Sequence, residues 1–131
     1  MKILLILNPK TNNPQNEPST HLRTAVAETS ISEVQRLLFW RSEINLTRAD
    51  LGDALVEASQ AGHEEIVQLL LEAGVDVNHT GNDNGSALMA ASRNGYRGVM
   101  RMLLEAGARV EMVHAYGYML REVLNEVWMR G

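Results

Sequence analysis

Two stretches of the chain place apolar residues at helical spacing and then stop at a glycine. In the first, Ile66, Val67, Leu70 and Leu71 recur at i, i+1, i+4 and i+5, and the run closes at Gly74. In the second, Val99, Met100, Leu103 and Leu104 do the same and close at Gly107. This spacing gathers the apolar side chains on one face of a helix. Glycine suits the left-handed position just beyond a helix end. A shorter helical pattern precedes each run: Leu55 with Ala58 before Gly62, and Leu88 with Ala91 before Gly95. Alanine at those points lets two helices approach closely. The segment after Gly74, "VDVNHTGNDNGS", is rich in the Asn, Asp and Gly of tight turns. The pattern predicts a unit of helix, turn, helix and a turn-forming excursion.

The unit is copied. Aligning residues 52–78 with 85–111 without gaps gives 12 identities in 27 positions, among them "LLEAG" at 70–74 and 103–107. A fainter copy lies one period of 33 residues upstream, where Leu22, Ala25, Val34, Gln35, Leu37, Leu38 and Asn45 match residues 55, 58, 67, 68, 70, 71 and 78. A fixed period of this length marks a repeat architecture, in which each unit buries its apolar face against its neighbours. Thr20, Asp53 and Ser86 occupy equivalent positions and are expected to cap the first helix of each unit.

These residues resemble the ankyrin repeat. The likeness rests on the 33-residue length, the Ala-Leu-x-x-Ala-Ser core, Gly62-His63, Val-x-x-Leu-Leu at 67–71 and Gly-x-Asp-Val-Asn at 74–78. The G-x-A-L-x-x-A-S-x-x-G-H variant looks most like arrays of filamentous-fungal proteins. The resemblance implies an all-α ankyrin-repeat solenoid: three helix-turn-helix repeats at 19–51, 52–84 and 85–114, and a C-terminal capping half-repeat at 115–131. Residues 1–18 form an N-terminal extension and linker. The family's usual Thr-Pro-Leu-His is Thr20-His21-Leu22-Arg23, Asp53-Ala54-Leu55-Val56 and Ser86-Ala87-Leu88-Met89 here, so its proline and histidine are missing.

The ends differ from the middle. Leu120, Val123, Leu124, Val127 and Trp128 form one amphipathic stripe, expected to be a capping helix. In repeat 1, Phe39 and Trp40 stand where the copies carry Glu72-Ala73 and Glu105-Ala106, and Arg41 replaces the stopping glycine. An aromatic pair at outward positions needs a cover, which the apolar segment 2–7 is expected to supply through the polar linker "NPKTNNPQNEP".

Composition narrows the function. The chain has 131 residues and a net charge of −4, which sets it against a dedicated nucleic-acid binder. Residues 1–84 carry 6 Lys+Arg against 12 Asp+Glu, and residues 85–131 carry 6 Arg against 4 Glu. There is no cysteine, and no apolar stretch approaches the ~18–20 residues of a membrane span. The run at 3–7 is shorter than the ~7–15 residues of a signal-peptide core. An intracellular, cytoplasmic protein with no membrane partner is expected.

The resemblance implies an interaction module, an adaptor, inhibitor or receptor-array fragment, that binds another protein through its hairpin tips and the concave face of its first helices. Mapped onto this chain, the binding residues are Arg48, Glu57, Gln60, His79, Asp83, Arg93, Arg109, Met112, His114 and Tyr116. His79 and His114 are one repeat plus two residues apart and, with Asp83 or Glu111, make the one candidate metal or acid–base cluster. No HExxH, glycine-rich phosphate loop or GxSxG motif accompanies it. No catalytic residue, metal or cofactor is therefore expected. The competing reading is a small-molecule-binding or non-hydrolytic enzyme role, with Met112, Met119, Tyr116 and Tyr118 lining an apolar groove. Met89, Met100 and Met102 align with core or near-core positions and are expected to fill the core.

Overall fold

The computed structural model describes residues 18–81 and 85–109, together with Val123 and Asn125. Among these residues the chain forms three helical hairpins. The first pairs α1 (Pro18–Ala27) with α2 (Ile31–Phe39), the second α3 (Arg48–Ala61) with α4 (Glu64–Glu72), and the third α5 (Ala87–Asn94) with α6 (Arg97–Glu105). The first helices pack side by side in the order α1, α3, α5, and the second helices line up behind them as α2, α4, α6. The sheet-like pairing among the described residues is an isolated antiparallel bridge between Thr80 and Ser86. The stack is an all-α solenoid.

The expected core is observed in most of its residues, with Leu71 and Leu104 only half-buried at its edge. Leu22 and Ala25, Leu55 and Ala58, and Leu88 and Ala91 are buried between the first helices. Val34 and Leu37, Ile66, Val67 and Leu70, and Val99, Met100 and Leu103 are buried on the second helices. Small alanines on α3, at Ala54 and Ala58, let it sit closely between α1 and α5. Met100 is fully buried, while Met89 and Met102 are half-buried. Val123 is helical and buried. The other residues of the expected capping helix (Leu120, Leu124, Val127 and Trp128) lie outside the described residues, as does segment 2–7.

The helix starts depart from expectation in two of three units. Ser86 does cap α5, its Oγ accepting the Met89 N–H at 3.2 Å. Thr20 and Asp53 instead lie inside helices that begin earlier. A stronger signal upstream captures the start of α3: Thr47 Oγ1 accepts the Asp50 N–H at 3.0 Å, and Asp50 Oδ2 accepts the Thr47 N–H at 3.0 Å. This reciprocal capping box satisfies two otherwise free donors. Helix α1 begins at Pro18, a residue well suited to the first helical position because its missing N–H has no partner there.

The helix ends show how repeat 1 manages without its copies' glycines. Gly62 and Gly95 end α3 and α5 at φ +76° and +75°. The same register places Thr29 after α1, where it adopts φ +56°, a strained conformation for a β-branched residue. After α4 and α6 the chain turns at Gly74 and Gly107, both with positive φ. In repeat 1 it instead winds through residues 40–45, with Asn45 at φ +60°. Asparagine is among the few residues that tolerate that region. The Leu38 carbonyl at the end of α2 accepts both the Arg41 backbone N–H at 3.4 Å and Arg41 Nη1 at 2.7 Å.

Candidate binding face

The first helices bury one side and leave the other in water. One repeat apart along α1, α3 and α5, the residues Ala27, Gln60 and Arg93 form an exposed column. Glu28, Ala61 and Asn94 form a second column beside it, Glu28 and Ala61 lying open to water and Asn94 at its third-repeat position. Glu57 is half-buried and pairs with Arg23 across the first junction, Nε to Oε1 at 2.8 Å. Arg23, Thr24, Ala27 and Glu57 line a shallow depression of about 320 Å³. At the end of α5, Asn94 Nδ2 donates to the Ala90 carbonyl at 2.9 Å, which fixes that side chain on its own helix.

The hairpin between repeats 2 and 3 is tied to the stack by polar contacts. The Asn78 N–H donates to Asp76 Oδ1 at 2.9 Å, a local turn bond. Asn78 Oδ1 in turn accepts the backbone N–H of Arg109, one repeat on, at 2.8 Å. The Gly81 N–H donates to the Gly85 carbonyl at 3.0 Å and closes the hairpin stem. His79 does not project as a free tip. Its ring lies against Gly52 in the middle of α3, where a side chain would collide with it. Its Nε2 is 2.8 Å from Asp53 Oδ1. The aspartate expected to cap α3 thus anchors the histidine expected at the tip.

The ten expected binding residues therefore separate. Glu57, Gln60 and Arg93 share the outer side of the first helices. Arg48 is exposed at the opposite end of α3 from Gln60, about 18 Å along the helix axis. His79 and Arg109 belong to the hairpin edge, and Arg109 is exposed. Asp83, Met112, His114 and Tyr116 lie outside the described residues, and with them the third-repeat apolar groove and the His79–His114 pair. Among the described residues no group of three His, Asp or Glu side chains is placed to hold a metal ion. No described helix is long and apolar enough to cross a membrane.

Three contacts went unforeseen. Thr29 Oγ1 lies 3.2 Å from His63 Nε2 across the first junction. Across the second, the Tyr96 ring covers Gly62, where an added methyl would sit 2.8 Å from it. The Glu64 carboxylate fills the space over Gly98, in the first turn of α6, within 2.5 Å of where a methyl would lie. The 33-residue register was the available signal: it aligns Thr29 with Gly62 and His63 with Tyr96.

Stacked helical hairpins of one period, joined by a hairpin edge and by contacts one repeat apart, define a repeat solenoid. A family model described as ankyrin repeats (3 copies) matches residues 22–113, more than half of the chain, and the protein belongs to the ankyrin-repeat family. Such repeats are in general protein–protein interaction modules. Comparison with curated proteins found no relative that matches.

Proposed function

We propose that this chain binds a partner protein through the exposed columns of its first helices and the adjoining hairpin edge. The observation that carries the reading is the division of labour on α1, α3 and α5. One side of each helix is buried in the stack, whereas Gln60, Arg93 and Asn94 carry no core duty and stand in register along the other. Rigid helices hold these side chains in place before binding, so little ordering entropy is lost when a partner docks. Gln60 and Arg93 offer amide and guanidinium donors, and Glu57 and Glu28 offer carboxylates within the same surface. A partner of mixed charge fits that surface better than a uniformly acidic or basic one.

The test is affinity capture from the native host with quantitative readout of the captured proteins. The unmodified chain is compared with the triple variant Gln60→Ala/Arg93→Glu/Asn94→Ala and with a control altered on the second helices, Gln68→Ala/Glu72→Ala. Loss of a captured protein with the first variant, and its retention with the control, supports the assignment. Retention of every captured protein by the triple variant means that the binding face lies elsewhere.

A further inference from the structure

Where α1 packs beside α3, the repeats disagree about what the exposed side of a first helix carries. Arg23, Thr24, Ala27 and Glu57 line the shallow depression at this junction. One period on, the equivalent positions hold Val56, Glu57, Gln60 and Ala90. The depression thus opens where repeat 1 has the bare methyl of Ala27 and repeat 2 has the exposed carboxamide of Gln60. Along this column repeat 1 lacks the polar group that repeats 2 and 3 project at Gln60 and Arg93.

The rim of the depression holds unused hydrogen-bonding capacity. Arg23 meets Glu57 through a single bond, Nε to Oε1 at 2.8 Å. The guanidinium keeps further N–H donors and the carboxylate a second oxygen. Among the described residues the Arg23 Nη groups, Glu57 Oε2 and the Thr24 hydroxyl make no other hydrogen bond. The two side chains are 65% and 33% exposed, so a ligand reaches these groups while the pair stays made. Charge then selects the ligand. A carboxylate approaching Arg23 meets the like charge of Glu57 beside the same guanidinium, and an ammonium approaching Glu57 meets that of Arg23. A carboxamide meets neither penalty, because it carries an acceptor and donors on one group without net charge.

We propose that the depression receives a glutamine or asparagine side chain of the partner protein. Its carbonyl oxygen accepts from an Arg23 Nη, its NH2 donates to Glu57 Oε2, and its methylene rests on Ala27. This assignment rests on the first helices being the binding face, and it names what one part of that face takes.

The test is selection of random displayed peptides on the full chain, followed by affinity measurement for the enriched sequences. They should carry a Gln or Asn whose replacement by Ala, Glu or Lys weakens binding about tenfold, the usual effect of losing hydrogen bonds to charged groups. Glu57→Gln in the chain should turn the preference toward Glu at that place in the peptide, and Arg23→Ala should turn it toward Lys, with the far-UV CD spectrum unchanged in both. Enriched peptides that couple to Arg23 or Glu57 through an acidic or basic side chain overturn the proposal. Peptides weakened by Gln60→Ala/Arg93→Glu but indifferent to Arg23→Ala and Glu57→Gln overturn it and leave the wider face standing. Selection that yields no peptide sensitive to any of these changes overturns both.

Discussion

The two junctions in the stack are built from different materials. Between repeats 1 and 2, polar side chains reach across and pair: Arg23 with Glu57, and Thr29 with His63. Between repeats 2 and 3, side chains settle onto bare glycine backbone: Tyr96 on Gly62, and Glu64 on Gly98. The apolar layers behind both junctions are equivalent, since Leu37, Leu70 and Leu103 are all fully buried. Exposed polar pairs add little net stability because water competes for each partner. A ring seated on a backbone tolerates almost no added volume. The first junction should therefore absorb mutation and the second should resist it, over a shared apolar floor.

The floor sets the largest effect. Leu70→Ala and Leu37→Ala should each cost about 3 kcal/mol, the usual consequence of a cavity in a packed core. Urea denaturation monitored by CD checks this, and a Leu37 variant much milder than its counterpart would mean that repeat 1 is packed less firmly than the others. Gly62→Ala comes next, at about 2 kcal/mol, because it combines a left-handed residue with a collision against the Tyr96 ring. Gly74→Ala is the matched control: it has positive φ but open space around the added methyl, so only the backbone strain of about 1 kcal/mol remains. Equal losses at the two glycines would show that the Tyr96 seat contributes nothing.

The first junction should yield smaller and partly opposite changes. Thr29→Gly should stabilise by about 0.5 kcal/mol, since relief of the strained backbone outweighs the lost contact with His63. A clear loss of stability would assign that contact more weight than an exposed pair normally carries. Arg23→Ala should change stability by less than about 0.5 kcal/mol, given side chains 65% and 33% exposed. A thermal melt at low and high salt would reveal any larger electrostatic share.

Most of the fold was legible because its determinants are local and repeated. Apolar spacing, closing glycines and a 33-residue register fix the helix pairs and the buried layers without knowledge of any distant contact. The misplaced helix starts had a physical cause: Thr47 and Asp50 form a capping box that outcompetes Asp53, and those residues lie just ahead of the strongest part of the alignment. The binding face was legible only where repeat register decides exposure, as at Gln60 and Arg93. The role of His79 was not, because it depends on a hairpin folding back to meet a residue 26 positions earlier and on the missing side chain at Gly52. Composition carries no trace of that meeting.

The bare backbone at Gly62 has a consequence for how the array can be rearranged. Each helical hairpin has nearly the same interior, so cores alone would allow the units to be permuted. Their edges forbid it. A tyrosine at position 63 would face the threonine side chain of Thr29 rather than empty backbone, and a histidine at position 96 would leave Gly62 uncovered. Order along the chain is thus encoded outside the core, in pairs of residues one period apart. Interchanging units would preserve every buried layer and still yield a mismatched molecule.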